Sequence, residues 1–160
     1  MAMKKSPSNL SAKAREQVCA ALRIVLTDGL DLHSQIKVAH WNIKGPQFAA
    51  LHPLFDTFAT DLATENDTIA ERILTLGGLA VGTARHVAKN SNLPDYPQDV
   101  TSAMEHVALL AERIGAYLDT VRDARDASEK ASDDDTVDLL TGIVVAFEKH
   151  AWFLHATLEK

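Results

Sequence analysis

Chain breakers constrain this sequence more than any other feature. Glycine and proline are scarce, 7 and 5 in 160 residues, and where they pair they punctuate long helical patterns. Gly45-Pro46 and Gly77-Gly78 end two such patterns, and Pro94 and Pro97 fall in the connection that follows. In the first pattern Val18, Ala21, Leu22, Val25, Leu26, Leu32, Ile36 and Ala39 recur at three- and four-residue spacing. This predicts a first helix capped by Ser8 or Ser11 and ending before Gly45, with Gly29 an interruption that carries no stop signal. A second helix is expected from about Phe48 to Leu76, halted by the glycine pair. A third is expected over roughly 99–127, with Asp99 or Thr101 near its start, and a fourth over about 134–158, its first turn acidic as the helix dipole favours. "DASEKASDDD" reads as the turn between those two, and "VGTARHVA" as a short helix inside the long connection 77–98.

The expected fold class is therefore all-α: a four-helix bundle whose one long crossover, with its short helix, lies between helices 2 and 3. That is the ferritin-like topology. An extended coiled coil fits poorly, because no heptad is sustained. The expected organisation is a flexible N-terminal tail, 1–8, and one bundle domain, 9–160. The single cysteine, Cys19, rules out an internal disulfide framework and, lying in an apolar helical run, reads as a small buried hydrophobe. No segment approaches the ~20 apolar residues of a membrane span, and no apolar stretch follows the lysines near the start, so the chain reads as cytoplasmic with no membrane partner. A net charge of −6 argues against a uniformly basic nucleic-acid surface. It leaves room for a local basic arm of Lys4, Lys5, Lys13 and Arg15.

Bundles of this topology commonly build a di-iron site inside themselves from Glu-x-x-His pairs. This sequence has none; Glu148 and His150 are two apart. Metal-ligand types gather instead in "AHWNIKGPQFAALHPLFDTFATDLATENDTIAER", residues 39–72. On a helical wheel His52, Asp56, Asp67 and Glu71 share one face within about 100°, while Asp61 and Glu65 fall on the other side. They form two i, i+4 pairs at opposite ends of one helix, and Asp56 and Asp67 are roughly 16 Å apart along it. No single ion touches both. The spacing is symmetric, since 52 and 71, like 56 and 67, sum to 123. Two antiparallel copies related by a two-fold axis would set His52 against the partner's Glu71, and Asp56 against the partner's Asp67, at both ends. His40, just before the "WNIKG" turn, is carried back towards His52. Imidazole and carboxylate together suit iron, zinc or manganese, and the lack of thiolate points away from copper(I). Such residues on a helix stripe are also what a solvated surface carries, and His52 next to Pro53 is also what a helix start carries.

The run "KVAHWNIKGPQFAALHPLFDTF…DTIAERILTLGG" resembles the Dps family, the DNA-binding proteins from starved cells, also called mini-ferritins. "YP-x-D" (Tyr96, Pro97, Asp99), "DDDT-x-D" (Asp133 to Asp138) and "KHAWFL" (Lys149 to Leu154) extend the likeness over nearly the whole chain. The resemblance implies a twelve-subunit hollow shell that oxidises Fe(II), with hydrogen peroxide or dioxygen as oxidant, and stores the ferric mineral inside. Residue by residue, His40, His52 and Asp56 would come from one subunit, and Asp67 and Glu71 from its two-fold partner. Asp134 and Asp138 would line an acidic three-fold pore. Trp41 and Trp152 match near-site positions and otherwise read as large core or interface residues. Where the family often has Glu after the second histidine, this chain has Pro53, which removes an acid and a helix N–H. His33, seven residues before His40, reads as structural or solvent-facing, as do His86, His106, His150 and His155. Two other functions stand beside iron oxidation: a nucleoid-associated protein that compacts DNA through its lysine-bearing tail, and an inactive ferritin-like scaffold.

Overall fold

The computed structural model describes residues 3–159. Helix α1 runs Ala12–Asn42, α2 Phe48–Thr75, α3 Ala84–Asn90, α4 Ala103–Lys130 and α5 Asp134–Leu158. The architecture is all-helical, as expected. Helix α1 packs on α2 and on α4, and α4 packs on α5, while α3 lies against α1 within the crossover.

Local chemistry explains most boundaries. Ser11, not Ser8, caps α1, its hydroxyl accepting from the Ala14 N–H at 3.1 Å. Helix α2 ends in a glycine turn: Gly77 has φ +86°, and the Gly78 N–H reaches the Ile73 carbonyl at 2.9 Å. Gly29 does not interrupt α1, which is continuous across it. Pro53 lies inside α2 without ending it.

The expected limits of α4 need correction at both ends. It starts at Ala103 rather than near 99, because the chain before it is pinned to the α1–α2 turn. The Lys44 N–H donates to the Thr101 carbonyl at 2.9 Å, and the Ala103 N–H to the Lys44 carbonyl at 3.2 Å. At the other end "DASEK" is helical to Lys130, and only Ala131–Asp133 makes the turn. Ser128 is buried with its hydroxyl on the Ala124 carbonyl, so it stays in the helix rather than opening a turn.

The core lies along the bundle axis. Phe55, Phe58, Tyr117 and Phe147 are among its largest fully buried side chains, each contributing ~1.5–3 kcal/mol by burial. Tyr117 and Phe147 meet edge-on, 5.6 Å between ring centroids. Cys19 is buried as expected, and burial raises its thiol pKa.

The described part of the expected tail lies on the end of α2. The Lys4 N–H donates to the Gly77 carbonyl at 2.8 Å and the Ser6 hydroxyl to the Thr75 carbonyl at 2.6 Å. Arg15 completes the clasp, one Nη1 donating to the carbonyls of Lys4 and Leu76. Arg15 thus holds the described tail residues against the end of α2. Lys4, Lys5 and Lys13 remain exposed.

Candidate metal centre

The α1–α2 turn folds the last turn of α1 onto the first turns of α2. His40 and His52 stack there, ring centroids 3.8 Å apart and planes 22° from parallel, with Phe48 on the far face of His52 at 4.8 Å. Each imidazole reaches the other's main chain: His40 Nδ1 lies 2.8 Å from the His52 carbonyl, and His52 Nδ1 lies 2.9 Å from the His40 carbonyl. A carbonyl only accepts, so both Nδ1 atoms carry the proton. In the neutral rings Nε2 then holds a free lone pair. A hydrogen bond of this kind, from the other ring nitrogen to a main-chain carbonyl, is what orients histidine ligands in metal sites.

Asp56, one turn beyond His52, places Oδ1 3.9 Å from His40 Nε2. The same oxygen accepts from Lys37 Nζ at 2.6 Å. That hydrogen bond, with the lysine's charge, holds the Asp56 carboxyl below the usual carboxylate range. His40 is therefore brought against both His52 and Asp56, with an ammonium group already on the acid. Sequence reasoning missed Lys37. Its signal was present: His33, Lys37 and His40 lie on one helix stripe at spacings of four and three.

Asp67 and Glu71 are not brought to this cluster. Because α2 is one continuous helix, Asp67 stands about 16 Å beyond Asp56 along it. Both acids are exposed. Among the described residues, no group of three or more His, Cys, Asp or Glu side chains gathers to hold a metal ion. What Asp67 does meet is a cavity of about 390 Å³ lined also by His33, Leu26, Leu30, Ala70 and Val81. His33 was read as structural or solvent-facing; it is half-buried beside Asp67, and burial, then Lys37, lowers its pKa. The remaining histidines have other partners. His106 Nδ1 and the Tyr96 hydroxyl share a hydrogen bond at 2.7 Å. His150 lies buried against Phe58 and Phe147, its Nε2 3.0 Å from Asp61 Oδ2. His86 lies beside Asn90, and His155 is exposed.

Trp41 and Trp152 are 68% and 62% exposed, so neither is a core residue of the chain, which corrects that part of their reading. Asp134 and Asp138 are exposed on the first turns of α5. The cap of that helix is Asp133, buried, accepting from the Thr136 N–H and from Arg72. Among the described residues no helix is long and apolar enough to cross a membrane.

Residues 19–160 match the family model described as "Ferritin-like domain". The chain is 39% identical over 156 residues to the "DNA protection during starvation protein" of Agrobacterium fabrum, covering 98% of this chain and 96% of that one. Its structure is similar to that of DpsC from Streptomyces coelicolor, with TM-score 0.94 and 35% identity over 99% of this chain and 92% of that one. It is also similar to the Dps protein of Vibrio cholerae O1, described as "a member of a broad superfamily of ferritin-like diiron-carboxylate proteins", with TM-score 0.92 and 26% identity over 99% of each chain. Helix order, the stacked histidine pair at the α1–α2 turn and these likenesses converge: the chain belongs to the Dps family of ferritin-like proteins.

Proposed function

We propose that the protein is a ferroxidase that removes and stores iron, acting at sites shared between two copies of the chain. His40, His52 and Asp56 supply one half of each site, and the partner copy's equivalents of Asp67 and Glu71 supply the other. The observation that carries this reading is the histidine pair held through both Nδ1 atoms, with Nε2 of His40 3.9 Å from Asp56, and, among the described residues, no fuller group of ligands in one chain. The open cavity beside Asp67, lined by Leu26, Leu30 and Val81, is a surface that a second α2 would cover.

Iron is substrate here. One Fe(II) binds Asp67, Glu71 and His40; a second sits more weakly near His52 and Asp56, where it competes with the Lys37 ammonium. Hard carboxylates favour Fe(III) over Fe(II) and so assist oxidation. Two Fe(II) ions each give one electron to hydrogen peroxide, the O–O bond breaks, and with two protons both oxygens leave as water. Taking both electrons in one event releases no hydroxyl radical, and DNA is protected by removal of both reagents. Dioxygen is the alternative oxidant. The assembly proposed is a dodecameric shell of two-fold dimers in the cytoplasm, with the mineral inside and iron entering through three-fold pores around Asp134 and Asp138.

The test is subunit mixing. His40→Ala and Glu71→Ala chains are each expected to lose rapid peroxide-driven Fe(II) oxidation while still assembling. Co-assembled, they should regain activity, because one of the two sites in a mixed dimer is then intact. Wild-type rates in either variant, or no recovery with mixing verified by native mass, would refute the shared site.

A further inference from the structure

The chain has two tyrosines, and their surroundings differ in one respect. Tyr117 is fully buried, and its hydroxyl finds no hydrogen-bond partner among the described residues. Tyr96 is half-buried, and its hydroxyl lies 2.7 Å from Nδ1 of His106, a side chain with no exposure at all. That is the reach at which a base takes a proton. Burial lowers the His106 pKa, so the imidazole is neutral near pH 7 and able to accept one. Nε2 is buried without a hydrogen bond of good geometry, and the main-chain acceptor that acts on the ring is the Val100 carbonyl, which favours the ring proton on Nε2. The Nδ1 lone pair then takes the phenol. The pair lies at the end of α1 that carries the histidine stack. There the segment before α4 is pinned to the α1–α2 turn through Lys44, Thr101 and Ala103, and the His106 N–H donates to the Ser102 carbonyl at 3.1 Å. Tyr96 and Val38 line one cavity. Trp41, three residues beyond Val38, is about 4.5 Å further along α1 and within about 60° of the same side. It is also 68% exposed. An exposed indole and a phenol with its own base thus occupy one helix end.

We propose that Tyr96 and His106 form a proton-coupled electron donor that quenches oxidising radicals reaching the protein. The oxidant is a hydroxyl-class radical, or the indole radical cation it leaves on an exposed tryptophan such as Trp41. It takes one electron from Tyr96; the hydroxyl radical ends as hydroxide, and the indole is restored. The phenolic O–H bond breaks as its proton passes to His106 Nδ1, so a neutral phenoxyl stands beside an imidazolium and no charge develops on the phenol. Ferrous iron, or a small thiolate, returns one electron, and the same proton moves back to the oxygen. Tyr117 is unsuited to this step. With no acceptor for its proton, loss of an electron would leave a charged phenol in the core. The role is separate from oxidation at the shared iron centre, because it needs no bound metal.

The experiment is pulse radiolysis of the full chain, without added iron, using azide radicals that oxidise exposed indoles. The tryptophanyl and phenoxyl absorption bands are followed in time. In the wild type the phenoxyl band is expected to grow as the tryptophanyl band decays, at a rate independent of buffer concentration, because the proton acceptor is internal. Tyr96→Phe removes the hydroxyl and keeps the ring. With Tyr117 as its one remaining tyrosine, it should lose the phenoxyl band, and its tryptophanyl radical should outlive that of the wild type. His106→Gln gives the hydroxyl a partner that is not a base, so transfer should slow and come to depend on buffer concentration. If that variant does not fold, the wild-type rate decides: a rise with buffer base shows that His106 takes no proton. A phenoxyl band of wild-type size in Tyr96→Phe, an unchanged rate in folded His106→Gln, or a buffer-dependent rate in the wild type overturns the proposal. Peroxide-driven Fe(II) oxidation by Tyr96→Phe should equal that of the wild type, and a loss in step with the radical signal would assign Tyr96 to the iron reaction instead.

Discussion

Gly29 sits in the middle of a 31-residue helix, where glycine normally weakens the fold. A Cβ built there would stand 2.2 Å from Asn66 Oδ1 and 3.4 Å from the Tyr117 ring, both side chains buried. The residue is a packing requirement where α1, α2 and α4 cross. Gly29→Ala is therefore expected to destabilise by about 1–3 kcal/mol through overpacking, despite alanine's better helix propensity. Gly115 in α4 has nothing within 4 Å of an added Cβ, so Gly115→Ala should stabilise by ~0.5–1 kcal/mol. Denaturant midpoints of the two variants should move in opposite directions; a Gly29→Ala midpoint at or above wild type would show that the crossing is soft. The sequence carried the glycine but not this reason for it, because the contacts come from Asn66 and Tyr117, far along the chain. The histidines behave alike. Spacing singled out His40 and His52, yet nothing local separated His33, beside Asp67, from His106, committed to Tyr96.

At the scale of elements, the ends of α2 and α5 are tied by one cation. Arg72 donates from Nη2 to Asp133 Oδ1 at 2.6 Å and from Nε to the Thr136 hydroxyl at 2.8 Å. Asp133 is 2% exposed and also caps α5. Arg72→Ala leaves a buried carboxylate with its helix contacts alone, and a loss of about 2–4 kcal/mol is expected, set somewhat below a fully buried pair because Arg72 is partly exposed. Arg72→Lys keeps the charge but not the two-pronged contact, so its loss should be intermediate. Urea denaturation at fixed protein concentration reads both, and an Arg72→Ala midpoint equal to wild type would show the clamp to be idle. The helix ends most legible in sequence were those set by local chemistry, such as the glycine turn after α2. The start of α4 was misplaced because the Lys44–Ser102 bridge that sets it joins residues far apart in sequence.

For the whole molecule, the proposed shell makes charge at its openings matter. Asp134 and Asp138, four residues apart and exposed, would raise the local cation concentration where three copies meet. The buried cap is Asp133, so Asp134→Asn/Asp138→Asn removes charge without touching it. Iron uptake by this variant should be slower than wild type, most clearly at low ionic strength where steering is unscreened, with assembly and stability little changed. Stopped-flow uptake at two salt concentrations, with native mass as control, checks this. Equal rates at low salt, or slowing only in step with lost assembly, would reduce these acids to favourable charges at a helix start.

Sequence alone determined the helical class, the helix order with its long crossover, and the split of candidate ligand residues into two clusters on one face of α2. Each depends on periodicity or on breakers, which act over a few residues and so are written locally. Only the tertiary structure decided the state of the cluster: the mutual Nδ1–carbonyl bonds of His40 and His52, the Lys37 ammonium on Asp56, and the place of His33 beside Asp67. It likewise decided that Arg15 clasps the chain end and that Trp41 and Trp152 stand exposed. These contacts join residues from different helices and turns, and their geometry follows from how the helices pack, which no spacing along one helix encodes.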